Sequence, residues 1–359
     1  MRIALRNTAL PRSEIFVLIL MDGHFTRGNA LPPRAVAHLA SPELNGSRTF
    51  PGQGRGFGGE SRLRARQDRG TIAESSGQGG YCMVHIGINT DNWRHADKPL
   101  DYCFEFIAKQ GIQYTELEAV GGTEFFEGLG FSPFVPLDSD PLELRKKFEK
   151  HGLKVSQLDV SFPINRWECI DFIRRGIIFA GLLGVPCVDT TDGKYKVPGM
   201  SDKEQIDRIC YHLSQCVSVA ENHKVIINVE PHGPFTTDPE MLLSIVEHFK
   251  SPFVRINFDT GNSFIAGQDP PKFLEKVAKY VTHVHCKDVS QSLADAMRGK
   301  ETGISASVVP IGQGVNGDNI AKCIKILQAR NWDGVFSIES DGEENVVQSV
   351  AWLRKQIGK

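Results

Sequence analysis

Between residues 84 and 357, short runs rich in Val, Ile and Phe alternate eight times with longer amphipathic stretches. Repeated alternation of this kind restricts a chain to α/β folds with parallel strands, because each parallel connection needs a helix-length crossover. The runs are VHIGIN (84–89), YTELEAV (114–120), KVSQLDV (154–160), VPCVDTT (185–191), VIINVE to Glu230, FVRINFD to Asp259, VTHVH to His285 and GVFSIE to Glu339. Helices are predicted near 98–110, 140–152, from beyond the third run to about Gly184, and over 201–222, 238–249, 271–280, 318–330 and 344–357. Asp140 reads as an N-cap with Pro141 at the first helical position and Gly152 as the stop. Ser201 and Glu204 have the spacing of a capping box. Eight such units over 83–359 approach the ~250 residues of an eightfold barrel, so the expected fold is an α/β (β/α)8 TIM barrel. A doubly wound open sheet is the runner-up.

Residues 1–82 have a different composition. They hold eleven Arg, no Lys precedes Lys98, and the tract GQGRGFGGESRLRARQDRG shows no apolar periodicity. Such a segment buries too little apolar surface to offset its ordering entropy. Its apolar stretch, IFVLILM at 15–21, is short for a signal peptide and lacks a nearby small-residue cleavage site. The expectations are a disordered leader, an extension upstream of a natural start at Met83, or an RNA-binding or targeting arm, with the last ranked third. The domain division is therefore 1–82 and 83–359.

The last four runs share a second property: each ends in a metal-type ligand, Glu230, Asp259, His285 or Glu339. A charged group closing a buried strand is costly unless paired. A parallel barrel gathers its strand C-termini on one face, where four such groups can meet. Period-2 alternation puts Glu230 with Asn228, Asp259 with Asn257, and His285 with His283 and Lys287 on the inward face. Three carboxylates and an imidazole suit one divalent cation. Oxygen donors without a thiolate favour Mn²⁺ or Mg²⁺, with Co²⁺ or catalytic Zn²⁺ also compatible.

Bulk properties narrow the partners. A formal net charge of -2 gives no general attraction to nucleic acid or acidic membranes. No run approaches the ~20 apolar residues of a membrane span. The eight Cys are scattered without CxxC, which suggests reduced thiols in a cytoplasmic protein.

The segments VEPHG, FDTGN, HVHCKD and SIES resemble those of the xylose isomerase-like TIM barrels, over about 83–359 and most strongly over 225–340. That superfamily includes sugar 3-epimerases and inosose dehydratase-like proteins, and the motifs separate its members poorly. The resemblance implies that Glu230, Asp259, His285 and Glu339 bind the metal. It implies that Glu230 and Glu339 also exchange the proton beside a carbonyl, with Asp259 and His285 as structural ligands. A metal acting as Lewis acid and two carboxylates acting as acid and base suit proton transfer through an enediolate. The expected activity is a sugar isomerase or epimerase acting on a small sugar or keto-sugar. The alternative is a lyase or dehydratase acting on an inosose or keto-glycoside. A binding protein with a degenerate site and an endonuclease IV-like role rank lower. Homo-oligomerisation is a family expectation.

Further residues are weighed for substrate contact. His232, just past Glu230, faces the mouth, and Lys287 can meet substrate oxygen or pair with an acid such as Asp288. Glu118, near the end of the second strand, can grip a hydroxyl or orient a ligand; Asp189 has the same ambiguity. His283 reads as a satisfied core or supporting histidine. Asn262 stands where many epimerase-like members carry a His, which counts against an ordinary ketose 3-epimerase. The stretch 288–316 is long for a connecting loop and suggests a short helix with a flap. Gly312-Gln-Gly314-Val-Asn-Gly317 matches GxGxxG, but no dinucleotide-binding βαβ unit precedes it, and a turn is expected instead.

Overall fold

A computed structural model describes residues 84–94, 96, 98–120, 133–304 and 307–358 of the chain. The leader expectations for 1–82 fall outside these residues. Among the described residues, eight parallel strands form a closed ring: β1 (Val84–Asn89), β2 (Tyr114–Val120), β4 (Lys154–Pro163), β5 (Cys187–Thr191), β6 (Ile226–Val229), β7 (Val254–Asp259), β8 (Val281–Cys286) and β9 (Gly334–Ile338). Pairing of β1 with both β9 and β2 closes the barrel, which excludes the open sheet. The two-residue β3 (Val135–Pro136) adds to β2 outside the ring, a feature too short for periodicity to reveal.

Helices cover the outside, and their starts follow local chemistry. Three Asp-Pro pairs open helices in one way. As N-caps, Asp140 and Asp238 each accept two backbone N–H groups and Asp269 accepts one, with Pro at the start of Pro141–Lys150, Pro239–Glu247 and Pro270–Val277. Ser201 and Glu204 form the expected capping box on Asp202–His223. Gly184 closes Cys169–Leu183 at φ 79°, a left-handed conformation that favours glycine. The remaining barrel helices are Leu100–Lys109, Gly317–Ala329 and Glu343–Ile357.

Alternate strand residues point outward into the apolar layer beneath the helices. Leu117, Leu158, Phe258, Val284 and Phe336 are fully buried there, and Phe258 meets Phe273 of its covering helix edge-on at 5.4 Å. The inward face is polar. Gln157 donates to Glu116 at 2.8 Å, Asn228 to Gln157 at 2.6 Å and Asn257 to Asp189 at 2.8 Å. These bonds satisfy groups that would otherwise be costly to bury.

Candidate metal centre and active site

His285, at the C-terminal end of β8, is the hub of the site. Its Nδ1 lies 3.0 Å from Glu230 Oε1, 3.4 Å from Glu339 Oε1 and 3.9 Å from Asp259 Oδ2. Donor atoms of Asp259, His285 and Glu339 fall within 4.8 Å of one another, as do those of Asp189, Glu230 and His285. Four consecutive barrel strands thus bring together the four residues expected as ligands. Asp189 approaches as a fifth.

The site also gives Asp259 a fixed orientation. Its Oδ1 accepts the N–H groups of Gly261 and Asn262, both at 2.7 Å, capping the short helix Thr260–Ile265. That helix was not anticipated from sequence. The cap leaves Oδ2 facing the cluster. Lys287 Nζ lies 3.1 Å from Asp259 Oδ2 and 2.5 Å from Glu339 Oε2. Both oxygens are nevertheless buried without a hydrogen bond of acceptable geometry. Buried carboxylate oxygens with incomplete partners, beside an imidazole nitrogen, are the donor set of a hard divalent cation. The residues fit such an ion.

The electrostatics reflect this crowding. Burial pushes the Glu230 carboxyl up to about 8, against the opposing hydrogen bond and charge of His285. Burial likewise raises Glu339, although His285 and Lys287 pull the other way. For Asp259 burial acts upward, but the charges of Lys287 and His285 win and hold it below its usual value. Burial would lower Lys287, yet Asp259 and Glu339 keep it above the ordinary lysine range. Lys287 therefore pairs with ligand acids. Pairing with an acid is as expected, and the acids are Asp259 and Glu339, whereas Asp288 is engaged elsewhere.

Sequence reasoning passed over Glu116. Its Oε1 lies 2.8 Å from His285 Nε2, on the far side of the ring from the other donors. Burial would raise this carboxyl, but the His285 imidazolium, through its charge and its hydrogen bond, holds it down at about 2. A carboxylate behind a ligating histidine fixes the ring and its tautomer. The available signal was the period-2 face that Glu116 shares with Glu118 on YTELEAV. His283 lies one layer deeper, with Nε2 3.2 Å from Ser156 Oγ and Nδ1 3.1 Å from Asn257 Oδ1. Burial lowers it to about 4, as suits a neutral supporting histidine.

A cavity of about 270 Å³ opens onto the cluster, and Glu118, His232, Lys287, Glu230 and Glu339 all line it. His232 has a buried Nδ1 without a partner, and burial followed by the Lys287 charge lowers it to about 4. Asn262 is not among the lining residues. Its Nδ2 donates to Glu230 Oε1 at 3.2 Å, and its Oδ1 accepts the Ile304 N–H at 2.9 Å. Lys287 donates to the Ile304 carbonyl at 3.1 Å. The long 288–316 stretch, which includes the helix Gln291–Met297, is thereby tied to the cluster through both backbone groups of Ile304. A larger cavity of about 880 Å³ lies at the N-terminal ends of the strands, beside Lys154, Ile226 and Gly334, and includes none of the four ligands.

The glycines of the GxGxxG match serve an internal anion. Asp288 Oδ2 accepts the N–H groups of Gly312 and Gly314 at 2.8 and 3.0 Å, and Oδ1 accepts that of Asn316 at 2.9 Å. A Cβ at position 314 would lie 2.3 Å from the Val289 carbonyl oxygen, so glycine is required there. Phosphate-cradling geometry is present, but the protein's own carboxylate fills it.

The family model for the xylose isomerase-like TIM barrel matches residues 104–356. An inosose dehydratase of Clostridium botulinum (strain Eklund 17B / Type B) is 23% identical over 290 residues, covering 76% of this chain and 94% of that protein. An uncharacterised protein of Methanocaldococcus jannaschii is 29% identical over 161 residues, but the match spans only 50% of its length and 43% of this chain. Among solved structures, a D-tagatose 3-epimerase-like protein superposes with a TM-score of 0.61 at 21% identity, covering 77% of this chain and 97% of the other.

Proposed function

The chain belongs to the xylose isomerase-like TIM barrel family, and from that premise we propose that it is a divalent-metal-dependent enzyme moving a proton on the carbon beside a sugar carbonyl. An isomerase or epimerase is the leading form. The observation that carries the proposal is the convergence of Glu230, Asp259 and Glu339 around His285 Nδ1, at 3.0, 3.9 and 3.4 Å. Glu230, Asp259, His285 and Glu339 would hold the ion, which when bound supplies Lewis-acid polarisation of a carbonyl oxygen.

The protein's own groups supply the rest. Glu230 and Glu339 enter the cavity from β6 and β9, as a base and an acid for the migrating proton. Burial raises both carboxyls, Glu230 to about 8, which suits groups that take up and release a proton near neutral pH. Asn262 holds Glu230 Oε1, and Asn89 donates to Glu339 Oε1 at 3.1 Å, so each carboxylate keeps one oxygen fixed. His232 and Lys287 face the cavity as polar contacts for substrate oxygens, and Glu118 is a third contact. Mn²⁺ or Mg²⁺ remains the favoured ion on donor chemistry.

The second reading is a dehydratase, in which the same proton abstraction is followed by loss of a β-hydroxyl. The likeness to inosose dehydratase along 94% of that protein favours it. Incubation of keto-sugars, inososes and keto-glycosides with the Mn²⁺-loaded protein in D₂O separates the two. Deuterium incorporation with no loss of water marks an isomerase or epimerase; an unsaturated product marks a lyase. Glu230→Gln and Glu339→Gln are expected to slow exchange by about 10²- to 10⁴-fold. Unchanged exchange in both variants defeats the assignment.

A further inference from the structure

The four ligand residues are almost closed to solvent: Asp259, His285, Glu230 and Glu339 are 0, 1, 4 and 6% exposed. An ion or substrate that reaches them has to pass a part of the wall that moves. Most of the cavity lining comes from strand ends and the turns directly after them, whose strands rest on the main apolar core. Ile304 comes instead from the middle of the long 288–316 stretch. That stretch has few supports. Its helix Gln291–Met297 buries no residue. Leu293, Ala294 and Met297 pack against a small cluster of Phe264, Ile265, Val289 and Ile304, apart from the main core. Segments with so few buried apolar contacts open at a lower free energy than the core does.

The segment has a firm root and a lightly held tip. At the root, the Gly299 N–H donates to the Ile265 carbonyl at 2.7 Å, and the Arg298 guanidinium lies 3.9 Å over the Phe264 ring. Beyond the tip the chain is held again at Ser307, whose carbonyl accepts the Asp341 N–H at 2.7 Å. Between these points Glu301 reaches Lys194, next to the lining residue Gly193, at 3.6 Å. Both side chains are over 40% exposed, so this pair contributes little and breaks readily. Gly303, at φ 73°, lies directly on His232, where a Cβ would be 2.6 Å from Nδ1. The glycine thus covers the nitrogen that has no hydrogen-bond partner. Covering a polar atom without pairing it costs free energy, and the cost is relieved when the segment lifts. Against it stand the Ile304 side chain and its two backbone bonds, to Asn262 at 2.9 Å and Lys287 at 3.1 Å.

We propose that residues 300–304 are a gate on this cavity. The segment lifts from a root at Gly299, opens a way to the ligand cluster, and closes with Ile304 seated against Asn262 and Lys287. That the gate also keeps water from a migrating proton rests on the proton-transfer reading above; that it opens rests on geometry alone.

A gate sets the rate of passage and leaves the affinity behind it alone. The test follows Mn²⁺ uptake by the full-length protein, Mn²⁺ release into excess chelator, and the equilibrium dissociation constant. Glu301→Gln removes the exposed ion pair without touching the cavity, and should speed uptake and release about 3-fold each. Ile304→Ala keeps the backbone bonds but withdraws the side chain from its cluster, and should speed both by at least about 10-fold. In both variants the dissociation constant should stay at the wild-type value. Amide exchange at 300–304 should rise in step, while the amides of β7 and β8 keep their wild-type protection. Unchanged rates in both variants overturn the gate, as does a change in only one of the two rates, which would mean altered ligands. Wild-type exchange at 300–304 as slow as in β7 and β8 also overturns it. If the protein takes up no Mn²⁺, the metal reading fails, and amide exchange in the two variants still decides the gate.

Discussion

A histidine holds a metal well only when its ring cannot turn and the correct nitrogen is free. At His285 both conditions depend on Glu116, whose Oε1 sits 2.8 Å from Nε2 and leaves Nδ1 toward the acids. Glu116→Gln keeps the shape and removes the charge. It is expected to weaken Mn²⁺ binding by about 10- to 100-fold, the usual effect of losing a carboxylate behind a ligating histidine. Metal titration of the folded variant checks this, and wild-type affinity would show that the ring is held by other means. Asn262 works on the opposite side. It links Glu230 to the Ile304 backbone, so Asn262→Ala should cost metal affinity and also free the 298–304 segment. Faster amide exchange at Ile304 would register that release.

At the level of elements, the two ends of the loop after β8 are gathered on a single carboxylate. Asp288 accepts four backbone N–H groups, those of Val289, Gly312, Gly314 and Asn316. Asp288→Ala leaves several of these donors buried and unpaired, at an expected cost of about 2–4 kcal/mol. Urea unfolding measures the cost, and loss of amide protection at Gly312 and Gly314 locates it. Elements like the Asp-Pro helix starts and the Ser201–Glu204 box could be read from sequence because they are made within four residues. The convergence of the residues that end β6 to β9 was legible for a related reason: strand alternation and barrel geometry together dictate where they point. The Asp288 anchor was not legible, because three of its four partners lie 24 to 28 residues away. Glu116 was missed for another reason. A Glu inside an apolar run gives the same local pattern whether it binds substrate, as proposed for Glu118, or steadies a histidine across the barrel. Only the closed ring, in which β1 and β9 alone separate β2 from β8, tells them apart. The inward Asn228, Asn257 and His283 were legible from alternation with the ligand endings, but their partners Gln157 and Asp189, which sit on other strands, were not.

For the whole molecule, the question is what a cluster of buried acids does to the stability of the fold that encloses it. Glu116, Glu230, Asp259 and Glu339 outnumber the cationic Lys287 and His285. A bound divalent cation offsets that excess and ties together β6, β7, β8 and β9. It should therefore stabilise the native state, by about 2.7 kcal/mol at a hundredfold excess over its dissociation constant. Glu230 gives the effect a pH dependence with a definite sign. Its native value of about 8 lies above the ~4.3 of an unfolded Glu. Across that window the metal-free native state binds more protons than the unfolded chain, so its stability falls as pH rises. A bound ion keeps the carboxylate ionised and removes the penalty. The rise in melting temperature caused by Mn²⁺ should therefore be larger at pH 8 than at pH 6, and chelation should reverse it at both. Glu230→Gln retains an acceptor for Asn262 but cannot ionise. It should lose most of the Mn²⁺ response while its metal-free form at pH 8 melts at or above the metal-free wild type. Equal shifts at the two pH values, or a full Mn²⁺ response in Glu230→Gln, would contradict this role for the β6 carboxylate.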